Sequence, residues 1–139
     1  MRPTYETRIR VRYGETDLAG HVNNAVYLTY LEQARLDFVR DALDVAGVPF
    51  IVASARLDYV RQAFYRDSLL IQSGVSRLGH SSFDIDHQIV HETSGELVVR
   101  ARAVLVHFNY QAQRPEPLPA AWRDRLAAFP MEPLFPSER

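Results

Sequence analysis

The sequence predicts an α+β domain in which one long helix crosses a mainly antiparallel sheet. Two observations lead to this prediction: residues 25–46 repeat apolar side chains at helical spacing, and four later runs alternate with the two-residue period of strands. The chain has 139 residues, 47% of them hydrophobic and 24% charged, as in a soluble globular protein. Because a chain of this size buries roughly 65–70% of its extended surface, we predict one domain over residues 1–139.

A strand and a loop precede the helix. Residues 5–13 alternate arginines with Ile9 and Val11, which indicates a strand with one face in water. This alternation stops in residues 14–24, where two glycines, an aspartate and two asparagines are typical of a loop. The loop therefore leads directly into the start of the helix.

The start and stop signals of the helix agree with its periodicity. Asn23 or Asn24 is a suitable N-cap, Gly47 is a suitable C′ residue, and Pro49 cannot continue a helix. At a rise of about 1.5 Å per residue, the helix 25–46 would be about 33 Å long, which is enough to cross the domain.

The strand-like runs after the helix complete the predicted five-stranded sheet. They span residues 51–61, 68–78, 81–92 and 96–110. Turn signals at Gly79-His80 and at residues 93–95 predict hairpins between the last three runs. The C-terminal extension 115–139 holds six of the eight prolines and one short helix candidate, 120–129. Five strands on one helix leave edges and outer surface open, which predicts a homodimer and allows a homotetramer.

Two residue types are absent, and their absence excludes several mechanisms. There is no cysteine, and all 16 basic residues are arginines. Cysteine nucleophiles, disulfides, lysine Schiff bases and the lysine-bearing phosphate loop are therefore excluded, and no serine stands in a GxSxG elbow. A net charge of −1 predicts no nucleic-acid partner. With no apolar leader and no apolar run near about 18 residues, we expect no membrane contact and a cytoplasmic location.

Four histidines raise the question of a metal site, but their spacing argues against one. His87 and His91 alternate with polar residues in a predicted strand, where four residues span about 13 Å. Two rings at that separation cannot share one ion. We therefore predict no metal and no cofactor, and expect core or interface positions for the histidines, which are His80, His87, His91 and His107.

The segment 13–27 carries the candidate chemistry. Asp17 and the glycine turn at Gly20 stand immediately before the N-terminus of the long helix. The first turn of a helix has unpaired backbone N–H groups and a partial positive charge, which suit a carbonyl oxygen that becomes an anion. Asp17 could act on an acyl compound as general base for water or as the nucleophile that forms a mixed anhydride. The residues themselves do not choose between these two roles.

This segment resembles the signature of the 4-hydroxybenzoyl-CoA thioesterase family of hotdog-fold acyl-CoA hydrolases. The matching residues are Asp17, Gly20, Asn23, Asn24 and Tyr27, and the run from His21 to Asn24 is also similar to long-chain acyl-CoA and acyl-carrier-protein thioesterases. The resemblance continues through residues 57–61, 77–83 and 114–119. It implies a hotdog fold, in which a five-stranded sheet wraps the long central helix.

The resemblance also implies roles for individual residues. Asp17 would be the essential carboxylate, and the backbone N–H of Asn24 would polarise the thioester carbonyl. Tyr27 would line the acyl pocket or be a core aromatic, and His21 would lie near the thioester or bond to a neighbour in the loop. The substrate-binding positions carried over are Gly20, Tyr27, Tyr59, Arg61, Arg77, His80, Ser81 and Ser82. The last five would contact the coenzyme A phosphates at a dimer interface.

The predicted activity is hydrolysis of an acyl-CoA thioester to a free acid and coenzyme A by a homodimer that needs no cofactor. Two alternatives stay open. The chain could be a non-catalytic dimer that binds acyl-CoA or acyl-carrier protein, with Asp17 only ordering the loop. It could also be a hotdog hydratase or dehydratase, which would require a catalytic group along the helix, where Glu32 and Asp37 are polar.

Overall fold

A computed structural model describes residues 4–47 and 49–136 of the chain. Residues 1–3, 48 and 137–139, which include both ends of the predicted domain, lie outside the described residues. The strands are β1 (Tyr5–Arg10), β2 (Phe50–Tyr59), β3 (Ser68–Leu78), β4 (Ser82–His91), β5 (Leu97–Asn109) and β6 (Arg114–Pro115). The helices are α1 (Asn24–Leu43) and α2 (Ala120–Ala127), and a short 3₁₀ turn spans Tyr13–Glu15.

The named strands pair antiparallel in the order β1-β3-β4-β5-β2, with β6 beside the end of β5. The predicted α+β class, one long helix on an antiparallel sheet, is confirmed. The sixth strand was not predicted, because a two-residue strand is too short to produce a periodic pattern. In the described part of the chain β2 pairs on one side only, with β5, and so forms one edge of the sheet. No helix within this part is long and apolar enough to cross a membrane.

Two apolar clusters form the core between α1 and the sheet. One surrounds Tyr27 in the first half of α1, and the other surrounds Phe38 in the second half. Between them, Ser73 on β3 lies opposite His87 on β4, and the Ser73 hydroxyl is 2.7 Å from Nδ1 of His87. Burial, reinforced by the nearby positive charge of Arg35, lowers the pKa of His87 to about 3. The core therefore contains a neutral polar layer between two apolar halves.

The ends of α1 differ in part from the prediction. Asn23 is the N-cap as predicted, and its side chain accepts a hydrogen bond from the Ala25 N–H at 2.9 Å. The predicted C′ role of Gly47 is wrong, because the helix stops at Asp44, whose φ is 54°. A short polar side chain lets aspartate adopt this left-handed conformation at modest cost. The helix is consequently shorter than the predicted range 25–46.

The other element boundaries lie close to those predicted, with the first strand as the main exception. It was expected over residues 5–13 but ends at Arg10. The Arg12 N–H donates to the Glu15 carboxylate at 2.8 Å, and this local bond favours the 3₁₀ turn over a continued strand. The short C-terminal helix forms as predicted and ends two residues early, at Ala127.

The segment after α2 covers part of the sheet that we expected to be open. Val75 lies on β3 just past Ser73, where the pairing with β1 stops. Its N–H donates to the Phe129 carbonyl at 2.7 Å, and its carbonyl accepts from the Met131 N–H at 3.0 Å. The chain then crosses the face opposite α1, where the Leu134 N–H donates to the carboxylate of Asp86 at 2.9 Å. At this place the expectation of an uncovered outer face is wrong, because the C-terminal extension folds back onto the sheet.

Candidate active site

The loop before α1 is folded into a tight turn that holds Asp17 at its base. A backbone bridge joins Thr16 and Val22, and the Asp17 N–H donates to the His21 carbonyl at 2.9 Å. The Gly20 N–H donates to the Asp17 carbonyl at 3.0 Å. Gly20 has a φ of 87°, which a residue with a side chain rarely adopts. The predicted glycine turn is therefore present and needs glycine.

The Asp17 carboxylate makes two contacts. Oδ1 accepts a hydrogen bond from the Ala19 N–H at 2.9 Å, and Oδ2 lies 3.3 Å from Nδ1 of His21. No other group in the described ranges donates to it, and its side chain is 35% exposed. The carboxylate thus keeps free lone pairs on a side that solvent or a ligand can reach. His21 has the neighbour contact predicted as one of its two roles.

The N-terminus of α1 offers one unused donor. The Asn23 carbonyl accepts from the Val26 N–H at 2.9 Å, and the Asn23 side chain accepts from Ala25. The backbone N–H of Asn24 donates to no acceptor in the part of the chain that the structure describes. The Tyr59 hydroxyl donates to the Asn24 carbonyl at 3.3 Å, which fastens the end of β2 to the start of the helix. Asn24 therefore has the free N–H that an oxyanion site requires.

A cavity of about 360 Å³ opens at this end of α1, against the end of β2. Its lining residues are His21, Val22, Asn24, Tyr27, Tyr59, Val60, Arg61 and Gln62. Five of these eight were predicted site residues. Asp17 and Gly20 line a second cavity, and the only link shown between the two cavities in the described residues is the contact between Asp17 and His21. The Arg61 guanidinium lies 3.2 Å from the Glu96 carboxylate, and the Arg61 side chain is half-exposed.

Tyr27 combines the two roles that the sequence left open. It is 2% exposed and packs in the core, with ring centroids 6.1 Å from Tyr30 and 5.7 Å from Tyr59. It also lines the cavity, and its hydroxyl accepts from the Ala63 N–H at 3.3 Å. Burial raises the pKa of Tyr27, so the phenol stays neutral. Tyr27 is a core residue whose polar end borders the site.

Glu15 is a site residue that sequence reasoning missed. Its carboxylate accepts from the Tyr30 hydroxyl at 2.8 Å and from the Arg12 guanidinium at 2.9 Å, and its carbonyl accepts from the Asn23 N–H at 3.0 Å. Burial opposes ionisation, but the hydrogen bonds from Arg12 and Tyr30 outweigh it and lower the pKa of Glu15. Glu15 therefore ties the loop to the buried face of α1. The available signal was the short spacing between the opposite charges of Arg12 and Glu15.

Four predicted coenzyme A contacts lie far from this loop in the same chain. These residues, Arg77, His80, Ser81 and Ser82, lie at the hairpin end where β3 meets β4. There the Arg77 guanidinium donates to Asp84 at 3.1 Å and to Ser82 at 2.9 Å. The Asp17 loop starts beside the opposite end of β3. An eleven-residue strand is roughly 34 Å long. One chain alone does not bring these residues to the site.

The histidines considered for a metal are also apart. His87 and His91 both lie on β4, which confirms the predicted strand. His87 bonds Ser73 in the core, whereas His91 lies 3.7 Å from Asp67 near the surface. Within residues 4–47 and 49–136, no three side chains of metal-binding type are grouped.

A long helix crossing an antiparallel sheet of this strand order is the hotdog fold. The chain belongs to the thioesterase-like superfamily, whose family model matches residues 11–126. The predicted enzyme class, a thioester hydrolase, is confirmed at this level. The narrower 4-hydroxybenzoyl-CoA family stays a prediction.

Individual relatives agree with this assignment. The long-chain acyl-CoA thioesterase FadM of Escherichia coli is 30% identical over 126 residues, which cover 87% of this chain and 96% of that protein. A solved thioesterase from Thermus thermophilus, complexed with coenzyme A and Zn, is 34% identical with a TM-score of 0.79, covering 93% and 97% of the two chains. A predicted thioesterase from Bacillus stearothermophilus is 28% identical with a TM-score of 0.86, covering 94% and 98%.

Proposed function

We propose that this chain hydrolyses acyl-CoA thioesters to a free acid and coenzyme A, with Asp17 as the catalytic carboxylate and the Asn24 N–H as the oxyanion donor. The observation that carries the proposal is the pairing of a carboxylate with free lone pairs and an unused helix N–H in one short loop. Relatives named acyl-CoA thioesterases support the substrate class.

The chemistry requires little beyond these groups. The thioester oxygen accepts from the Asn24 N–H, where the partial positive charge of the helix start stabilises the tetrahedral anion, and one such donor is worth about 2.7–4 kcal/mol. In one route Asp17 takes a proton from water, the hydroxide adds to the carbonyl, the C–S bond breaks, and the proton passes to sulfur. In the other route Asp17 attacks the carbonyl, the thiolate leaves, and water cleaves the mixed anhydride.

We also propose a homodimer that pairs through the free edge of β2. This edge exposes Val52 and Tyr59 by nearly half of their surface, and an unpaired strand is most simply satisfied by a symmetric copy. Antiparallel pairing about a two-fold axis reverses the second sheet, so that its β3–β4 turn comes to the same end as the Asp17 loop of the first. The predicted phosphate contacts could then serve the other protomer's site. A homotetramer would stack two such dimers, and we expect the enzyme in the cytoplasm.

Release of free thiol from a panel of aromatic, short and long acyl-CoAs tests the proposal. Wild type should turn over at least one of them, and Asp17→Asn should be slower by about 100- to 10,000-fold, because general acid–base catalysis contributes that much. Asp44→Asn makes the same chemical change at the other end of α1 and should keep the wild-type rate.

Comparable rates in wild type and Asp17→Asn would remove Asp17 from the mechanism. Stoichiometric acyl-CoA binding without turnover on any chain would favour the non-catalytic alternative. Hydration of an enoyl-CoA would favour the hydratase.

A further inference from the structure

Away from the site, α1 and β2 carry a set of exposed apolar side chains, and we call the strip between the helix and the strand the apolar groove. Its rim is formed by Leu28 and Leu36 on the helix and by Val52 and Tyr59 on the strand. All four are large apolar side chains with at least 39% of their surface exposed. Since β2 runs back along α1, Tyr59 lies beside the N-terminus of the helix and Val52 lies beside its second half. The groove therefore leads from the proposed oxyanion donor along the helix.

An irregularity in β2 keeps the helix-facing side of this strand apolar. The register against β5 shifts between Val52 and Ser54, so that Val52 lies opposite Leu105 and Leu57 lies opposite Ala101. Side chains alternate between the two faces of a strand, so without the shift Val52 and Leu57 would face opposite sides of the sheet. Both parts of β2 consequently present apolar side chains to α1.

The groove ends in a cavity of about 330 Å³ with an arginine in its wall. The lining residues are Glu32, Arg35, Leu36, Val39, Phe50, Val52 and Leu105. The Arg35 side chain is only 13% exposed, and its guanidinium makes no hydrogen bond within the described ranges. The nearest acid, Glu32, is 4.0 Å away and 63% exposed.

The Arg35 guanidinium has fewer polar partners than a buried charge usually has. Burial lowers the pKa of Arg35, and its charge also acts on the buried His87. A desolvated cation is costly unless an anion pairs with it, and a guanidinium fits a carboxylate with two parallel hydrogen bonds. The other lining groups apart from Glu32 are apolar, so the cavity offers a carboxylate one strong partner and little competition from polar neighbours.

The distance between the Asn24 N–H and Arg35 suits a substrate that is polar at both ends. Arg35 is eleven residues after Asn24 on α1, and at the helical rise this corresponds to about 16 Å. An acyl group whose carbonyl lies at the Asn24 N–H and whose methylenes follow the groove brings its far end to Arg35. We propose that Arg35 makes the far end of the groove a carboxylate site, and that this enzyme accepts ω-carboxyacyl-CoA, the single thioester of a dicarboxylic acid. This inference rests on the proposed hydrolysis at Asp17.

Matched substrate pairs test the inference. Dodecanoyl-CoA and its ω-carboxy counterpart differ only at the chain end, and kcat/KM is measured for both with wild type, Arg35→Met and Glu32→Gln. Wild type should favour the ω-carboxy substrate, and Arg35→Met should lower that preference by about ten- to a hundredfold, as expected for a hydrogen bond between charged groups. Glu32→Gln removes a competing acid from the same place and should keep or increase the preference.

A second measurement does not depend on turnover. In calorimetric titrations, dodecanedioate should bind to the wild-type enzyme more tightly than dodecanoate, and this difference should vanish in Arg35→Met. An unchanged preference in Arg35→Met would overturn the inference. So would dissociation of an oligomer in Arg35→Met and Glu32→Gln alike, because Arg35 would then be paired with an acid of a second copy.

The two proposals fail in different ways. If wild type hydrolyses plain acyl-CoAs through Asp17 but shows no ω-carboxy preference, only the Arg35 inference is wrong. If no thioester is cleaved while the diacid still binds through Arg35, the proposed hydrolysis is wrong. Circular dichroism of each variant shows whether it is folded, and the comparison of dodecanedioate with dodecanoate binding to wild type stands without any variant.

Discussion

Two aspartates, Asp86 in the sheet and Asp17 in the loop before α1, show how differently this molecule uses a carboxylate. Asp86 is fully buried on β4 and accepts four hydrogen bonds: from Ser76 at 2.9 Å, from Arg102 at 2.7 and 3.0 Å, and from the Leu134 N–H at 2.9 Å. Asp17 accepts one backbone hydrogen bond, touches His21, and stays partly exposed.

The difference separates a structural carboxylate, Asp86, from Asp17, the carboxylate that we propose as reactive. The lone pairs of Asp86 are all engaged, and they hold the C-terminal segment on the sheet. The loop holds the Asp17 carboxylate in place but leaves lone pairs on it free. A reactive group needs both a fixed position and a free lone pair. Burial alone would have pointed to Asp86, the more deeply buried of the two, and not to the aspartate that we propose as catalytic.

Substitutions of the two aspartates should affect different properties, and Asp17→Asn should give the largest effect on turnover. We expect a loss of about 100- to 10,000-fold in kcat on the best acyl-CoA, with the free energy of unfolding within about 0.5 kcal/mol of wild type. Turnover assays and urea unfolding of the same preparations measure both. A large loss of stability would mean that Asp17 is mainly structural, which would break the comparison.

Asp86→Ala should give the largest effect on stability. Removing one partner of a buried ion pair costs about 3–5 kcal/mol, and Arg102 and the Leu134 N–H would both lose their hydrogen bonds to this carboxylate. Urea unfolding should show that loss, while kcat of the fraction that remains folded stays near wild type. Ser94→Ala, a change in an exposed turn, serves as the control and should alter stability by less than about 0.5 kcal/mol.

The buried pair of Ser73 and His87, which lies between the two apolar clusters of the core, predicts that stability depends on pH. His87 has a pKa of about 3 in the folded chain and 6.5 as its ordinary value. Above pH 6.5 His87 is mainly neutral in both the folded and the unfolded chain. Below this pH, the unfolded chain binds a proton at His87 and the folded chain does not. Stability should therefore fall by about 1.4 kcal/mol per pH unit from 6.5 towards 3, or about 2 kcal/mol between pH 7 and 5. His87→Asn should show a smaller loss over that interval in urea unfolding, and equal losses would contradict the assignment.

The smallest expected effect sharpens the description of the Asp17 end. Asn23→Ala removes the side-chain cap of α1 and should cost about 1 kcal/mol of unfolding free energy. Because the cap also orients the first helical N–H groups, kcat should fall as well. Asn23→Ser keeps a capping oxygen and should restore both quantities. If Asn23→Ala lowers stability without changing kcat, the helix N-terminus does not take part in the reaction.

Most of the fold and half of the site were open to prediction from the sequence. Alternation and helical spacing located α1 and the five main strands because these periods are local properties of the chain. Asp17, Gly20 and Asn24 were predicted because they form a short motif of eight residues next to a capped helix, and the family resemblance gave Asp17 and Asn24 their expected roles. Glu15 was missed because its role depends on Tyr30, which lies a full fifteen residues later on the buried side of α1.

The sequence by itself determined the fold class, the loop that carries the carboxylate and the exclusion of cysteine and lysine chemistry, since each depends on residue type and short spacing. Only the tertiary structure decided which groups meet across long separations. It brought Tyr59 to Asn24, folded the C-terminal segment over Asp86, and kept the β3–β4 turn away from the Asp17 loop. It also left Arg35 without a full partner, because the burial of a charge depends on packing that no local pattern contains.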